Sequence, residues 1–131
     1  LPKQYLQDYE EVYDYRNIEV TIDEQDIFNV TMNESLAVAL LTNLLKNAFV
    51  HNIDGGHIRI TVTKNSITFR NSGVENPLDK EHIFERFYQG TKKEGSTGLG
   101  LAIADSICRL QHLSIRYYFE QKEHCFEISR Q

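Results

Sequence analysis

The chain has 131 residues, a length that suits one domain with one hydrophobic core. Hydrophobic residues make up 40% of it, an ordinary globular value that excludes a disordered chain. The formal net charge is −5 and the sequence has no run of basic residues, which argues against a nucleic acid partner because binding a polyanion needs a positive patch. No stretch approaches the roughly 20 apolar residues of a membrane span, and no signal peptide is visible.

Two cysteines, Cys108 and Cys125, lie in segments with an apolar pattern and lack C-x-x-C spacing. They predict buried free thiols in a reducing compartment rather than a metal site or a disulfide framework. The chain opens at Leu1 without a methionine, and we expect it to be part of a longer protein.

Periodicity predicts the elements of the first part of the chain. A helix is expected over about residues 3–15, and residues 18–23 and 27–32 alternate like two half-buried strands joined by a short polar turn. Asn33 can cap a long helix that runs from residue 34 to about residue 51, because its side chain can accept a hydrogen bond from the first turn.

Four further strands are predicted. Residues 57–63 and 66–71 flank Lys64–Asn65, which is a hairpin signal, and residues 113–120 and 124–130 close the chain. Together these elements predict an α+β fold, a two-layer α/β sandwich with a mixed, mostly antiparallel sheet and helices on one face. That arrangement lets one sheet and its helices bury their apolar faces.

A long mixed stretch runs from Ser72 to about Thr97 and contains the short amphipathic piece DKEHIFERFY. Connections of this length are uncommon in compact domains and often serve as lids. A helix is predicted to follow from about Thr97 to His112, with Ser96 or Thr97 as its cap.

Gly98 and Gly100 stand at the start of this helix. A helix N-terminus without Cβ atoms lets a phosphate approach the backbone N–H groups closely, and the macrodipole favours the negative charge. The alternative is an ordinary loop-to-helix junction that uses glycine for a tight turn. A short G-x-G pattern alone does not decide between the two.

Three polar residues, Asn43, Asn47 and His51, recur at steps of four in an otherwise apolar helix. This spacing places them on one face. A buried asparagine costs on the order of a few kcal/mol unless it is hydrogen-bonded, so a polar partner is expected against the stripe. The partner is either neighbouring backbone or a ligand, namely a hydrated magnesium ion with its phosphates, for which amide oxygens are suitable donors.

Four segments, in the order NLLKNAFVHN, FRNSG, IFERFY and GSTGLGLAI, resemble the N, G1, F and G2 boxes of the catalytic ATP-binding domain of bacterial sensor histidine kinases. The resemblance spans nearly the whole chain, and IFERFY followed closely by GLGLAI is specific to the kinase branch. It implies the Bergerat (GHKL) fold shared with gyrase, Hsp90 and MutL, ATP and Mg²⁺ as ligands, and a role in two-component signalling.

The resemblance implies roles for individual residues. Asn47 is expected on the magnesium side, Asn43 beside the phosphates and His51 near the adenine. The G2 box is expected to supply backbone amides to the phosphates through Thr97, Gly98, Leu99, Gly100 and Leu101. Contacts from the G1 box, the F box and the lid are implied for Asn71, Gly73, Phe84, Lys92 and Lys93, with Phe84 and Phe87 as anchors of the lid.

Three positions depart from the family pattern. Asn71 replaces the aspartate that accepts a hydrogen bond from the adenine amino group, and the loss of charge is expected to weaken ATP binding on the order of tenfold. Glu75 replaces a glycine and should stiffen the upper part of the lid. Gln89 replaces an arginine, and Lys92 and Lys93 are the nearest residues to supply the missing charge, unless they only form a solvated loop tip.

The ATP-hydrolysing relatives carry a glutamate one turn before the position of Asn47, where it acts as general base for water. This chain has Asn43 there, which cannot take a proton at neutral pH. In the kinases the nucleophile is a histidine, usually followed by an acidic residue, on a separate helical hairpin, and no histidine here has that neighbour. Residues 1–16 are therefore expected to end the connection from a missing phosphoacceptor hairpin, and residues 17–131 to form the catalytic domain with a lid at about residues 72–97.

The resulting hypothesis is the catalytic domain of a sensor histidine kinase, monomeric alone and part of a homodimeric parent. Its expected partners are the dimerisation and histidine phosphotransfer domain of that parent and a response regulator, in the cytoplasmic part of a membrane-bound sensor. Two alternatives stay open. One is an anti-sigma-type serine kinase of the same fold, against which IFERFY speaks. The other is a degenerate interaction module that no longer binds nucleotide.

Overall fold

The structure is a computed structural model that describes residues 16–86 and 99–131. In these ranges the chain forms, in order, β1 (Glu19–Glu24), α1 (Glu34–Val50), β2 (His57–Val62), β3 (Ser66–Asn71), α2 (Gly100–Leu110), β4 (Leu113–Glu120) and β5 (Glu123–Arg130). Neither α1 nor α2 combines the length and the apolar character needed to cross a membrane. The helix predicted over residues 3–15 lies outside the described ranges.

The strands form one sheet in the order β1-β2-β3-β5-β4. β1 pairs with β2 in parallel, and the other three pairs are antiparallel. Parallel neighbours need a long crossover between them, and α1 supplies it. The mixed, mostly antiparallel sheet predicted from the sequence is therefore confirmed.

One face of the sheet carries the core. Ile60, Phe69 and Phe126 stand side by side in the register of β2, β3 and β5, and all three are buried. Leu44 from α1 and Ile107 from α2 belong to the same core. Because both helices pack on this one face, the predicted two-layer sandwich is confirmed.

The strand predicted over residues 27–32 is wrong, since this segment is irregular. After β1 the backbone N–H groups of Gln25 and Asp26 donate to the carbonyl of Val62, and the chain then leaves the sheet to reach α1. Ile27 stays 68% exposed, whereas Phe28 packs against the core. The alternation thus reflects Phe28 and Met32, which are half-buried and pack against the core, without any pairing of strands.

The helix bounds follow their capping residues. The side chain of Asn33 accepts the Leu36 N–H at 3.2 Å, which confirms the predicted start of α1. α2 begins at Gly100, later than predicted, and Leu99 precedes it without a side-chain capping bond. The expected caps Ser96 and Thr97 lie outside the described residues. At the other end, His112 adopts φ 58, a left-handed conformation that stops the helix.

The two cysteines are buried and free, as predicted. Burial raises the pKa of Cys108 to about 12 and that of Cys125 to about 11. Burial thus disfavours the thiolate form of both residues near neutral pH.

Candidate functional site

The polar stripe predicted on α1 is present. Asn43 and Asn47 are half-buried in a helix whose neighbouring residues Leu44, Leu45 and Ala48 are buried. The amide nitrogen of Asn43 donates to the carbonyl of Ala39 at 2.7 Å. Since a side-chain amide is planar, this bond turns the Asn43 oxygen away from the backbone of its own helix.

The Asn43 oxygen faces the start of α2. A Cβ atom added to Gly100 would lie 3.2 Å from Asn43 Oδ1, so the two helices approach closely at this point. The N-terminus of α2 carries a partial positive charge from the helix macrodipole. The polar stripe and the glycine-rich helix start, far apart in sequence, thus form one polar corner.

Asn47 lies one turn after Asn43, and no side chain within residues 16–86 and 99–131 forms a hydrogen bond with its amide. The neutral amide oxygens of Asn43 and Asn47 suit a hard cation that keeps most of its water ligands, as Mg²⁺ does. The donor set therefore fits a magnesium ion.

Asn71 ends β3 and is 2% exposed. Its amide nitrogen donates to the carbonyl of Ser72 at 2.7 Å, whereas its buried Oδ1 has no hydrogen-bond donor in the described part of the chain. A buried acceptor without a donor costs about 1–3 kcal/mol, so this oxygen is a place where a ligand's N–H group would bind favourably. The resemblance implies that Asn71 contacts the adenine amino group, and this contact stays a prediction.

The next residue but one, Gly73, brings the end of α1 against the end of β3. A Cβ atom there would lie 2.8 Å from the carbonyl oxygen of His51 and 3.2 Å from Cδ2 of His124. His51 is the half-buried residue that follows α1. The structure thus places His51 beside Gly73, and its contact with adenine stays a prediction.

The structure describes only some of the residues predicted for the G2 box and the lid. Leu99 and Leu101 are half-buried around the start of α2, and Leu101 packs against the core. Thr97, Gly98 and the lid residues Lys92 and Lys93, together with Phe87 and Gln89, lie outside the described residues. Their assigned contacts stay predictions.

Phe84, within the expected lid, is half-buried and packs against the core. Its ring meets that of Phe126 edge to face, with the centroids 6.2 Å apart and the planes at 82°. Ile83 beside it is buried, and its N–H donates to the carbonyl of Asp79 in a single helical turn. The role of Phe84 as an anchor of the lid and its contact with a nucleotide both stay predictions.

Sequence reasoning missed a second polar group behind Asn71. Asn52 is fully buried, and its oxygen accepts from the hydroxyl of Ser72 at 2.6 Å. Its amide nitrogen donates to the carbonyl of His57 at 3.0 Å. The one signal in the sequence is an asparagine directly after the polar stripe, which does not reveal its partner.

Residues 32–129 match the sequence profile of the family described as histidine kinase-, DNA gyrase B-, and HSP90-like ATPase. The chain is 43% identical over 84 residues to the sensor histidine kinase RppB of Synechocystis sp., which covers 57% of this chain and 18% of that protein. It is 36% identical over 109 residues to the heme sensor protein HssS of Staphylococcus aureus. That alignment covers 79% of this chain and 24% of HssS. The chain thus spans 18% to 24% of the length of these curated relatives.

Solved structures show the same architecture. The catalytic domain of histidine kinase ThkA superposes with a TM-score of 0.83 at 25% identity, over 97% of this chain and 87% of that one. A mycobacterial sensor histidine kinase, MprB, gives a TM-score of 0.76 at 21% identity, over 95% and 91%. The likeness to MprB concerns the fold alone.

Proposed function

Since the chain belongs to the family of histidine kinase-, DNA gyrase B- and HSP90-like ATPases, we propose that it binds Mg-ATP and donates the γ-phosphate to a histidine on a separate dimerisation and phosphoacceptor domain. The observation that carries this proposal is the buried Oδ1 of Asn71, which faces no donor in the described chain. The amino group of adenine would supply that donor.

Other residues of the site would bind the phosphates and the magnesium ion. The start of α2 at Gly100, with the Asn43 oxygen beside it, would receive the phosphates, because helix N-termini favour anions. Asn47 would hold Mg²⁺, with Asn43 next to it. When bound, the ion would neutralise charge on the phosphates. The protein's own part is to position ATP rather than to form a bond with it.

The residue at position 43 supports transfer to a group other than water. A neutral amide cannot remove a proton from an attacking water, so hydrolysis should be poor. None of the histidines in the sequence is followed by an acidic residue, so the acceptor is assigned to another part of the parent protein.

The proposal includes a homodimeric parent, a response regulator as partner and a location at the cytoplasmic side of a membrane sensor. The response regulator is proposed as a partner because histidine kinase ThkA, a structural neighbour, was solved in complex with response regulator protein TrrA.

A calorimetric titration with Mg-ATP tests the proposal. The wild-type chain should bind in the micromolar to millimolar range, and Asn47→Ala should weaken binding by about tenfold or more. Asn65→Ala, in the exposed turn between β2 and β3, is the matched control and should bind like the wild type. A folded wild-type chain that binds no nucleotide would instead favour the degenerate interaction module.

Phosphoryl transfer needs a separate assay with γ-labelled ATP and the histidine-bearing domain of the parent protein. Label should appear on that domain in an acid-labile, base-stable form, as expected of phosphohistidine. Label on a serine of a partner would favour the anti-sigma-type kinase. Steady release of inorganic phosphate, abolished by Asn43→Ala, would favour a hydrolase.

A further inference from the structure

We propose that Asn52 and Ser72 are positioning residues of the adenine subsite, which hold the amide of Asn71 so that Oδ1 points at the base. The inference rests on the proposed nucleotide binding and adds to it. It concerns how the carbonyl of a neutral asparagine is kept in one orientation where the family has an aspartate.

The first link joins Ser72 to Asn52. The hydroxyl of Ser72 lies 2.6 Å from Asn52 Oδ1, which can only accept, so Ser72 donates. The same hydroxyl accepts from the backbone N–H of His57 at 2.9 Å. Asn52 in turn uses its amide nitrogen on the His57 carbonyl and its oxygen on the Ile53 N–H. Because Asn52 is fully buried and both ends of its side-chain amide are hydrogen-bonded, its oxygen is held in one position for the Ser72 hydroxyl.

The second link joins Ser72 to Asn71. The pairing of β3 with β2 ends at Asn71, opposite Ile58, and one further backbone bond runs from the Ser72 N–H to the His57 carbonyl at 3.2 Å. The carbonyl of Ser72 accepts from Asn71 Nδ2 at 2.7 Å. Since the side-chain amide is planar, holding Nδ2 on one side fixes Oδ1 on the other. The position of the Ser72 peptide therefore sets where Oδ1 points.

Two neighbouring residues support a rigid arrangement. A Cβ atom on Gly56 would lie 2.2 Å from Asn52 Oδ1 and 2.3 Å from Ser72 Oγ, so the pair leaves no room for a side chain there. The guanidinium of Arg16 donates to the backbone carbonyl of Asn52 at 2.7 Å and also to that of Phe49. Arg16 thus fixes the backbone of Asn52 at the end of α1, and Gly56 leaves no space for the Asn52 side chain to move away from Ser72.

The test compares ATP with inosine triphosphate, which carries a carbonyl oxygen in place of the adenine amino group. Ser72→Ala removes the hydroxyl but keeps the backbone that accepts from Asn71. We expect ATP affinity to fall about three- to tenfold, as for the loss of one orienting hydrogen bond, and inosine triphosphate affinity to change less than about twofold. Ser72→Thr keeps a hydroxyl and should restore the preference for ATP.

Ser66→Ala is the matched control. Ser66 lies at the other end of β3, about 17 Å from Asn71 along the strand, and its hydroxyl also takes part in a hydrogen bond, with Thr63 at 3.0 Å. This variant should keep the wild-type ratio of ATP to inosine triphosphate affinity. A thermal unfolding scan of each variant confirms that the folded protein is being titrated.

The outcomes separate the two proposals. If Ser72→Ala keeps the wild-type preference, or loses both nucleotides by the same factor, the Asn52 and Ser72 pair is structural only and this inference is overturned while ATP binding stands. If the wild-type chain binds neither nucleotide, the proposed function is overturned and this inference with it.

Discussion

The hydroxyl group of Tyr117 lies 2.7 Å from Nδ1 of His124 and joins β4 and β5 to the segment that follows Asn71. Nε2 of His124 lies 2.7 Å from the carbonyl oxygen of Val74, which can only accept, so Nε2 carries the proton and Nδ1 accepts from Tyr117. The Tyr117 hydroxyl also accepts from the N–H of Leu78 at 2.9 Å. The start of the expected lid is thereby tied to the sheet at two points.

Tyr117→Phe should lower the free energy of unfolding by about 1–3 kcal/mol, because it leaves the buried Nδ1 of His124 and the N–H of Leu78 without a partner. Tyr118→Phe is the matched control. Tyr118 points to the opposite face of the sheet, and its hydroxyl meets the Arg70 guanidinium at 3.5 Å, a long contact. Urea denaturation of both variants measures the difference, and equal losses would contradict a special role for the Tyr117 hydroxyl.

The stability of the domain should fall in acid through His124. Burial lowers the pKa of His124 below its ordinary value of 6.5, although the bond to Val74 acts in the opposite direction. As the pH falls from about 6.5 towards the lowered pKa of the folded chain, the unfolded chain therefore binds more protons than the folded chain does, and the free energy of unfolding decreases by at most about 1.4 kcal/mol per pH unit. His124→Gln should show a smaller loss between about pH 7.5 and about pH 5.5.

His82 provides a control of opposite sign. A hydrogen bond to Asp79, 2.6 Å away, raises the pKa of His82, so this residue contributes stability below its unfolded pKa and loses it as the pH rises through the folded value. His82→Gln should therefore leave the acid-side loss unchanged or make it larger. A smaller loss in His82→Gln than in His124→Gln would contradict the assignment.

The turn between β4 and β5 offers a stabilising substitution. Gln121 and Lys122 adopt φ angles of 51 and 62, which suit the two central residues of a type I′ turn and favour glycine. Lys122→Gly should raise the free energy of unfolding by about 0.5–1 kcal/mol, because it removes the strain of a side chain in the left-handed region. Lys64→Gly, in the turn between β2 and β3 where no positive φ occurs, should be neutral or destabilising. Chemical denaturation distinguishes the two.

Local signals explain what could be predicted from the sequence. The start of α1 follows from Asn33 and the apolar period, and the hairpin around Lys64–Asn65 follows from its turn. The strand predicted over residues 27–32 was wrong because an alternation of apolar and polar residues indicates only that one side of a segment faces the core. It carries no information on whether another strand pairs with that segment. The contacts of Asn52 with Ser72 and of Tyr117 with His124 depend on how β3, β5 and β4 lie together, which no local pattern reveals.

Alanine substitutions at Gly100 and Gly55 should separate effects on nucleotide affinity from effects on the stability of the domain. A Cβ atom on Gly100 would lie 3.2 Å from Asn43 Oδ1, so Gly100→Ala should shift the Asn43 amide by a few tenths of an ångström. Alanine is also a better helix former than glycine, and the free energy of unfolding should stay within about 0.5 kcal/mol of the wild type or rise. Affinity for Mg-ATP should fall by about threefold or more, because the polar corner is disturbed.

Gly55→Ala should show the reverse. Gly55 adopts φ 77, and no heavy atom lies within 4 Å of an added Cβ, so alanine meets backbone strain but no steric contact. The free energy of unfolding should decrease by about 1 kcal/mol, while Mg-ATP affinity stays at the wild-type value. Calorimetric titration and urea denaturation of both variants complete the comparison. If Gly100→Ala binds Mg-ATP as tightly as the wild type, then Asn43 and the start of α2 do not act together on the phosphates, and that part of the site must be reassigned.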